Sequence, residues 1–95
     1  NMSNNEMAQM PQYQCHKKVW ALKIAELKHT GTQEQESDGS LLMIPENKVY
    51  LPFILDAKFV DKHKPKEGGY YVVYDDGYTS FSPAQAFESG YTLLE

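Results

Sequence analysis

Residues 68–92, GGYYVVYDDGYTSFSPAQAFESGYT, read almost residue by residue as a strand, a tight turn, a returning strand, a capped helix and an exit strand. Tyr70 to Tyr74 are aromatic and β-branched residues, the types that fit a pleated, half-buried surface. Asp76-Gly77 then marks a hairpin, because glycine takes the positive φ that the turn requires. A two-residue loop there puts Tyr70, Val72, Tyr74, Thr79 and Phe81 on one face and Tyr71, Val73, Asp75, Tyr78 and Ser80 on the other. A three-residue loop with a bulge at Gly77 slips the pairing by one and mixes those sets. The first register gives the cleaner apolar face and is the expected one. Ser82-Pro83-Ala84-Gln85 follows as a capping box, with Ser82 at the N-cap and Pro83 at the first helical position. Gly90 stands where a helix of about two turns would end on a left-handed residue.

Outward from this segment, the rest reads as a small sheet. Cys15 to Lys28, CHKKVWALKIAELK, fits a strand with Trp20, Leu22 and Ile24 alternating, and also a helix with Trp20, Ile24 and Leu27 on one stripe. The strand is preferred, since no N-cap precedes the run and its neighbours look like sheet. Thr30 to Ser40 is a hydrophilic, glycine-bearing connection expected to be mobile. Leu41 to Ile44 is a short strand ended by Pro45, with a turn at Glu46-Asn47. Val49 to Leu55 is a further strand, placed at an edge by Pro52. Asp56 can cap a short helix from Ala57 to Lys64 that Pro65 stops. The expected fold class is therefore α+β: a small antiparallel sheet of about five strands with two short helices, near 57–64 and 83–89. Residues 1–12 are polar and unpatterned and read as a disordered arm, leaving residues 13–95 as one domain.

Composition narrows the function. A single cysteine among 95 residues rules out an internal disulfide framework and fits a reducing compartment. No stretch approaches the length of a membrane span, so a soluble intracellular protein is expected, with no membrane partner. The net charge is −4 and all nine cations are lysine. Arginine is the preferred bidentate reader of phosphate and guanine edges, so sequence-specific nucleic-acid binding is not expected.

Catalytic chemistry finds little purchase. Cys15 and His16 point to opposite faces of an extended strand and cannot act as a nucleophile–base pair. Pairing Cys15 with His29 or His63 has no motif behind it, and the histidines lack metal-ligand spacing. Asp75-Asp76 is explained as turn chemistry. Gly68-Gly69 lacks the strand–loop–helix context of a phosphate loop and reads as a flexible lead into a strand. No catalytic residue, metal or cofactor is assigned.

Seven tyrosines are the surplus, five of them at Tyr70, Tyr71, Tyr74, Tyr78 and Tyr91. A two-sided hairpin cannot place all of them in one core, and tyrosine suits interfaces because it joins a large apolar area to one polar tip. The candidate binding residues are Tyr71, Tyr78, His16, Lys62, Lys64 and Lys66, with the tyrosines as stacking surfaces and the lysines as point charges for an anionic ligand.

Two stretches, CHKKVWALKI and GGYYVVYDDGYTSFSPAQAFESGYT, together about 40% of the chain, resemble a group of small accessory proteins of bacteriophages and prophages. The resemblance implies a small protein made in an infected host's cytoplasm and carries over no activity or catalytic residue. The expected function is non-enzymatic: a homo-oligomer that antagonises a host process such as antiviral defence, by blocking a host protein or sequestering a nucleotide signal. The rival expectations are a small cysteine-dependent enzyme and a structural virion component.

Overall fold

The computed structural model describes residues 9–94. They form β1 (Trp20–His29), β2 (Leu41–Pro45), β3 (Phe53–Leu55), α1 (Ala57–His63), β4 (Tyr70–Val73), β5 (Thr79–Ser82) and α2 (Ala84–Glu88). The strands make one antiparallel sheet in the order β3-β2-β1-β4-β5. The five strands and two short helices of these residues match the α+β expectation, and the run from 20 to 29 is strand rather than helix. The first eight residues of the expected disordered arm, and Glu95, lie outside the described residues. Residues 11–19 carry no regular structure.

β1 organises the sheet because its two halves serve different neighbours. Trp20–Lys23 pair with β4, whereas Ile24–His29 pair with β2, and the register shifts between Ile24 and Glu26. Such a bulge bends a strand and raises its twist, so the sheet curls at this point. Ile24 is the pivot: its N–H donates to Gly69 O at 2.8 Å and its carbonyl accepts from Gly68 N at 2.8 Å. Three residues on, the Leu27 amide donates to the Glu67 carboxylate at 3.0 Å, so a side chain stands in for a missing strand partner.

The core sits inside the curl. Ile24, Met43 and Leu55 are buried, and Leu22, Phe53, Phe59, Val60, Tyr71 and Phe81 close over them. Burying such an aliphatic side chain contributes about 1.5–3 kcal/mol. α1 covers this face, with Phe59 5.6 Å from the Tyr71 ring. Its N-terminus is capped as expected, Asp56 accepting from the Phe59 amide at 2.8 Å, and it ends on Lys64 at φ 50, just before Pro65. Val72 points the other way and is equally buried. Above that second face lies α2, whose Phe87 stacks on Tyr70 with centroids 4.1 Å apart.

Four local expectations are corrected. The hairpin uses the three-residue loop Asp75-Asp76-Gly77: Tyr74 N donates to Tyr78 O, Gly77 N donates to Tyr74 O, and Gly77 has φ 91. Tyr71 therefore pairs with Phe81, and Val73 with Thr79. Helices cover both faces of this hairpin, so a search for one clean apolar face selects the wrong register. Ser82 is not the helix cap. It remains in β5 opposite Tyr70, and Pro83, extended at ψ 152, takes the N-cap without a side-chain bond. Gly90 does not adopt a positive φ, α2 ends on Ser89 at φ −81, and no strand follows among the described residues. Finally, Val49–Leu51 do not join β3. The Val49 amide is taken by Asn47 Oδ1 at 3.0 Å, and pairing begins only after Pro52, at the sheet edge.

The connection between β1 and β2 is tied at its ends. Asp38 Oδ1 accepts from the Ser40 amide at 2.9 Å and from the Ser40 hydroxyl, and Thr30 Oγ1 lies 2.8 Å from Ser40 Oγ. These bonds to the charged form, led by the Ser40 hydroxyl, hold the Asp38 carboxyl below its ordinary value.

Candidate binding surface

The second face of the sheet carries an aromatic ladder. Tyr70, Phe87 and Tyr91 lie nearly parallel, with centroid steps of 4.1 and 4.4 Å. Lys23 Nζ sits 5.6 Å from the Tyr70 ring centroid and 2.8 Å from Glu88 Oε2. The Tyr70 hydroxyl donates to the same Glu88 oxygen at 2.7 Å. Glu88 is therefore held below the ordinary carboxylate range, by Lys23 first and Tyr70 second. The Lys23 ammonium and the Tyr70 phenol are both pushed up, each chiefly by its hydrogen bond to Glu88. This trio locks α2 onto β1 and β4, which makes it structural machinery.

A second cluster surrounds the hairpin tip. Tyr74 and Tyr78 lie 5.9 Å apart, His63 is 6.1 Å from Tyr78, and Lys62 Nζ stands 5.4 Å over the Tyr78 ring. An open groove of about 260 Å³ runs between Lys17, Lys18, Tyr74, Asp75, Asp76 and Tyr78. Its charges are mixed, two lysines facing two carboxylates. A shallower groove of about 490 Å³ lies beside α1 and includes Asp61, Lys64 and Lys66.

The residues singled out from sequence do not converge within one chain. Tyr78 and Lys62 come together, as do Lys64 and Lys66 in the separate α1 groove. His16 is exposed on the segment before β1. Tyr71 is placed differently from the expectation of an open stacking surface, since its ring packs edge-on against Phe53 at 5.1 Å and beside Phe59 in the core. Cys15 is exposed. Among the described residues no group of three or more His, Cys, Asp or Glu could hold a metal, and no helix is long and apolar enough to cross a membrane.

Sequence reasoning passed over an exposed apolar run leading into β3. Val49 and Leu51 are 80% and 81% exposed, and Ile54 on the edge strand is 54% exposed, with Tyr50 and Pro52 between them. The signal was present: Pro52 has no N–H to give a ladder, so a strand-like apolar run interrupted by it belongs at a solvent-facing sheet edge. A strongly exposed Tyr13, at 92%, precedes β1.

A curled five-stranded antiparallel sheet with two short helices defines a small α+β architecture. In comparisons with known proteins, no family model and no curated protein matches the chain. Among solved structures, it is similar to the monomeric form of the phage L decoration protein, determined in solution by NMR. The identity is 29% and the TM-score 0.59, over 80% of this chain and 52% of that one. The chain thus spans about half the length of that neighbour. The likeness supports a phage protein with this fold.

Proposed function

We propose that the chain is a phage virion component, a non-enzymatic binding domain that decorates the particle surface. The observation that carries this reading is the likeness to the phage L decoration protein, which combines 29% identity with a common fold over four fifths of this chain. A decoration role needs an exposed adhesive surface on a stable scaffold, and the Val49–Ile54 surface and the locked α2 are consistent with it. The sequence-based preference for antagonising host defence has less behind it: Tyr71 lies in the core and the lysines divide between two grooves. The decisive experiment is mass spectrometry of density-gradient-purified particles, together with co-sedimentation of the purified protein with particles lacking it. Saturable binding at a fixed copy number per particle is expected. Absence from virions and no co-sedimentation would remove the proposal. Thermal shift against a panel of cyclic and linear nucleotides tests the sequestering reading, which a stabilisation of several degrees would revive.

A further inference from the structure

The ladder between β1 and β4 stops where Trp20 meets Val73. Each rung back along β1 advances one residue along β4, from Lys23 opposite Tyr70 to Trp20 opposite Val73. Continued in that register, Val19 falls opposite Tyr74, Lys18 opposite Asp75 and Lys17 opposite Asp76. Two consecutive rungs therefore set a lysine against an aspartate, and directly opposed unlike charges stabilise an antiparallel pair. The same four charged residues, with Tyr74 and Tyr78, line the groove of about 260 Å³ at the hairpin tip, so continued pairing needs no large displacement.

These rungs are unformed. Residues 11–19 carry no regular structure, and 9–18 are exposed. Among the described residues no backbone hydrogen bond joins Lys17, Lys18 or Val19 to the tip, and no ion pair joins either lysine to Asp75 or Asp76. The tip is nevertheless prepared for them. Hydrogen-bonded rungs alternate along an antiparallel ladder. Tyr74 gives its N–H to Tyr78 on the β5 side, which turns the Asp75 N–H toward β1, and that N–H has no backbone acceptor among the described residues. Asp76 Oδ1 is taken by the Tyr78 amide at 2.9 Å, whereas no hydrogen bond among the described residues engages the Asp75 carboxylate.

We infer that residues 17–19 form a salt-sensitive strap that closes onto the hairpin tip as an extension of β1. In the closed form Lys18 O accepts from the Asp75 N–H, and the Lys18 and Lys17 ammonium groups pair with the Asp75 and Asp76 carboxylates. Successive side chains of a strand point to opposite faces, so the two ion pairs lie on opposite sides of the sheet and do not compete. Closure lengthens β1 to Lys17, brings Val19 beside Tyr74 and fixes the direction in which the arm leaves the sheet. The inference concerns the free chain and stands apart from virion attachment. All four charges are exposed, and the Debye length falls from about 30 Å at 0.01 M salt to about 3 Å at 1 M. The strap therefore closes at low ionic strength and opens at high.

The test is amide exchange and NOE spectroscopy on the isotopically labelled full chain. At about 0.01 M salt the Val19 and Tyr74 Hα protons should show a contact, since a non-hydrogen-bonded rung brings its Cα atoms closest, and the Asp75 N–H should be protected. Raising salt to about 1 M should cut that protection by about three- to ten-fold. Asp75→Lys, at an exposed position, should do the same at low salt, and so should Lys18→Asp. Combining Lys18→Asp with Asp75→Lys restores opposed charges and should recover the protection, which a general effect of net charge on the fold would not. Circular dichroism and the Val73–Thr79 pairing check that the hairpin persists, and if a variant loses it the wild-type salt series decides alone. An absent Val19–Tyr74 contact at low salt, protection independent of salt, or a folded double variant no better protected than the single ones overturns the inference.

Discussion

Replacing Gly69 with alanine should destabilise the protein through a single, locatable collision. Gly69 is buried, and its φ is not positive, so its backbone conformation suits alanine. Space is the obstacle. A Cβ at this position would lie 2.4 Å from both Cε1 and Cζ of Phe81 and 2.8 Å from the Ser82 carbonyl oxygen. Carbon atoms pack at about 3.5–4.0 Å, so ring or backbone has to yield by roughly 1 Å. Neither is at liberty: Gly69 O accepts from Ile24 N, and Tyr71 and Phe81 are paired across β4 and β5. Overpacking of this kind costs about 1–3 kcal/mol. For a domain of this size that corresponds to a fall in Tm of about 5–20 °C, read by thermal denaturation and checked by urea unfolding with an unchanged m-value. Phe81→Leu removes the two colliding ring atoms and leaves the 2.8 Å approach to the Ser82 carbonyl, so Gly69→Ala should cost clearly less in the Phe81→Leu background than alone. Gly68→Ala is the contrasting control. Gly68 has φ 91 and open space around it, so its cost of about 1–2 kcal/mol is conformational and should add in full to Phe81→Leu. A Gly69→Ala protein melting within about 1 °C of wild type, or a penalty undiminished in the Phe81→Leu background, would refute the steric argument.

Three other outcomes follow from the packing and the ion pair. Met43→Ala, at a fully buried position, should lose about 2–5 kcal/mol in urea unfolding. Asp56→Ala should cost about 0.5–2 kcal/mol through the lost N-cap of α1, with Asp56→Ser recovering most of it. Glu88 is held below its ordinary value of 4.5, so its contribution is complete above that pH and is lost as pH falls through the lower folded value. Lys23 and Tyr70 are raised, so theirs is lost as pH rises through values above 10.5 and 10.0. Glu88→Gln should flatten the acid limb of a Tm-against-pH curve, and an acid limb identical to wild type would remove the trio from the account.

What was legible in the sequence was local chemistry. Asp56 and Pro65 delimit α1 because a cap and a helix-excluding proline both act within a few residues. Pro52 pointed correctly to an edge strand. The failures share one cause: the deciding partner was distant in sequence. Which of Tyr70 and Tyr71 faced the core depended on where α1 and α2 docked, and Ser82 was withheld from capping by its ladder partner Tyr70. Gly68-Gly69 looked flexible, yet one glycine supplies a left-handed turn and the other clearance for Phe81. The candidate site was less legible still, since half-buried tyrosines read the same in sequence whether they support a core or a surface.

The divided allegiance of β1 has a kinetic consequence. Its second half meets β2 across eleven residues, and β4 meets β5 across three, so both pairings are local and can close on the microsecond scale. The four rungs that join them, Trp20–Lys23 with Tyr70–Val73, unite residues roughly fifty positions apart. Closing that long loop is an entropic toll that grows only logarithmically with length, but nothing native in the core is sealed until it is met. Stopped-flow refolding should therefore be slowed most by substitutions at Ala21, Leu22, Tyr71 and Val72, while changes within either hairpin act mainly on the unfolding rate.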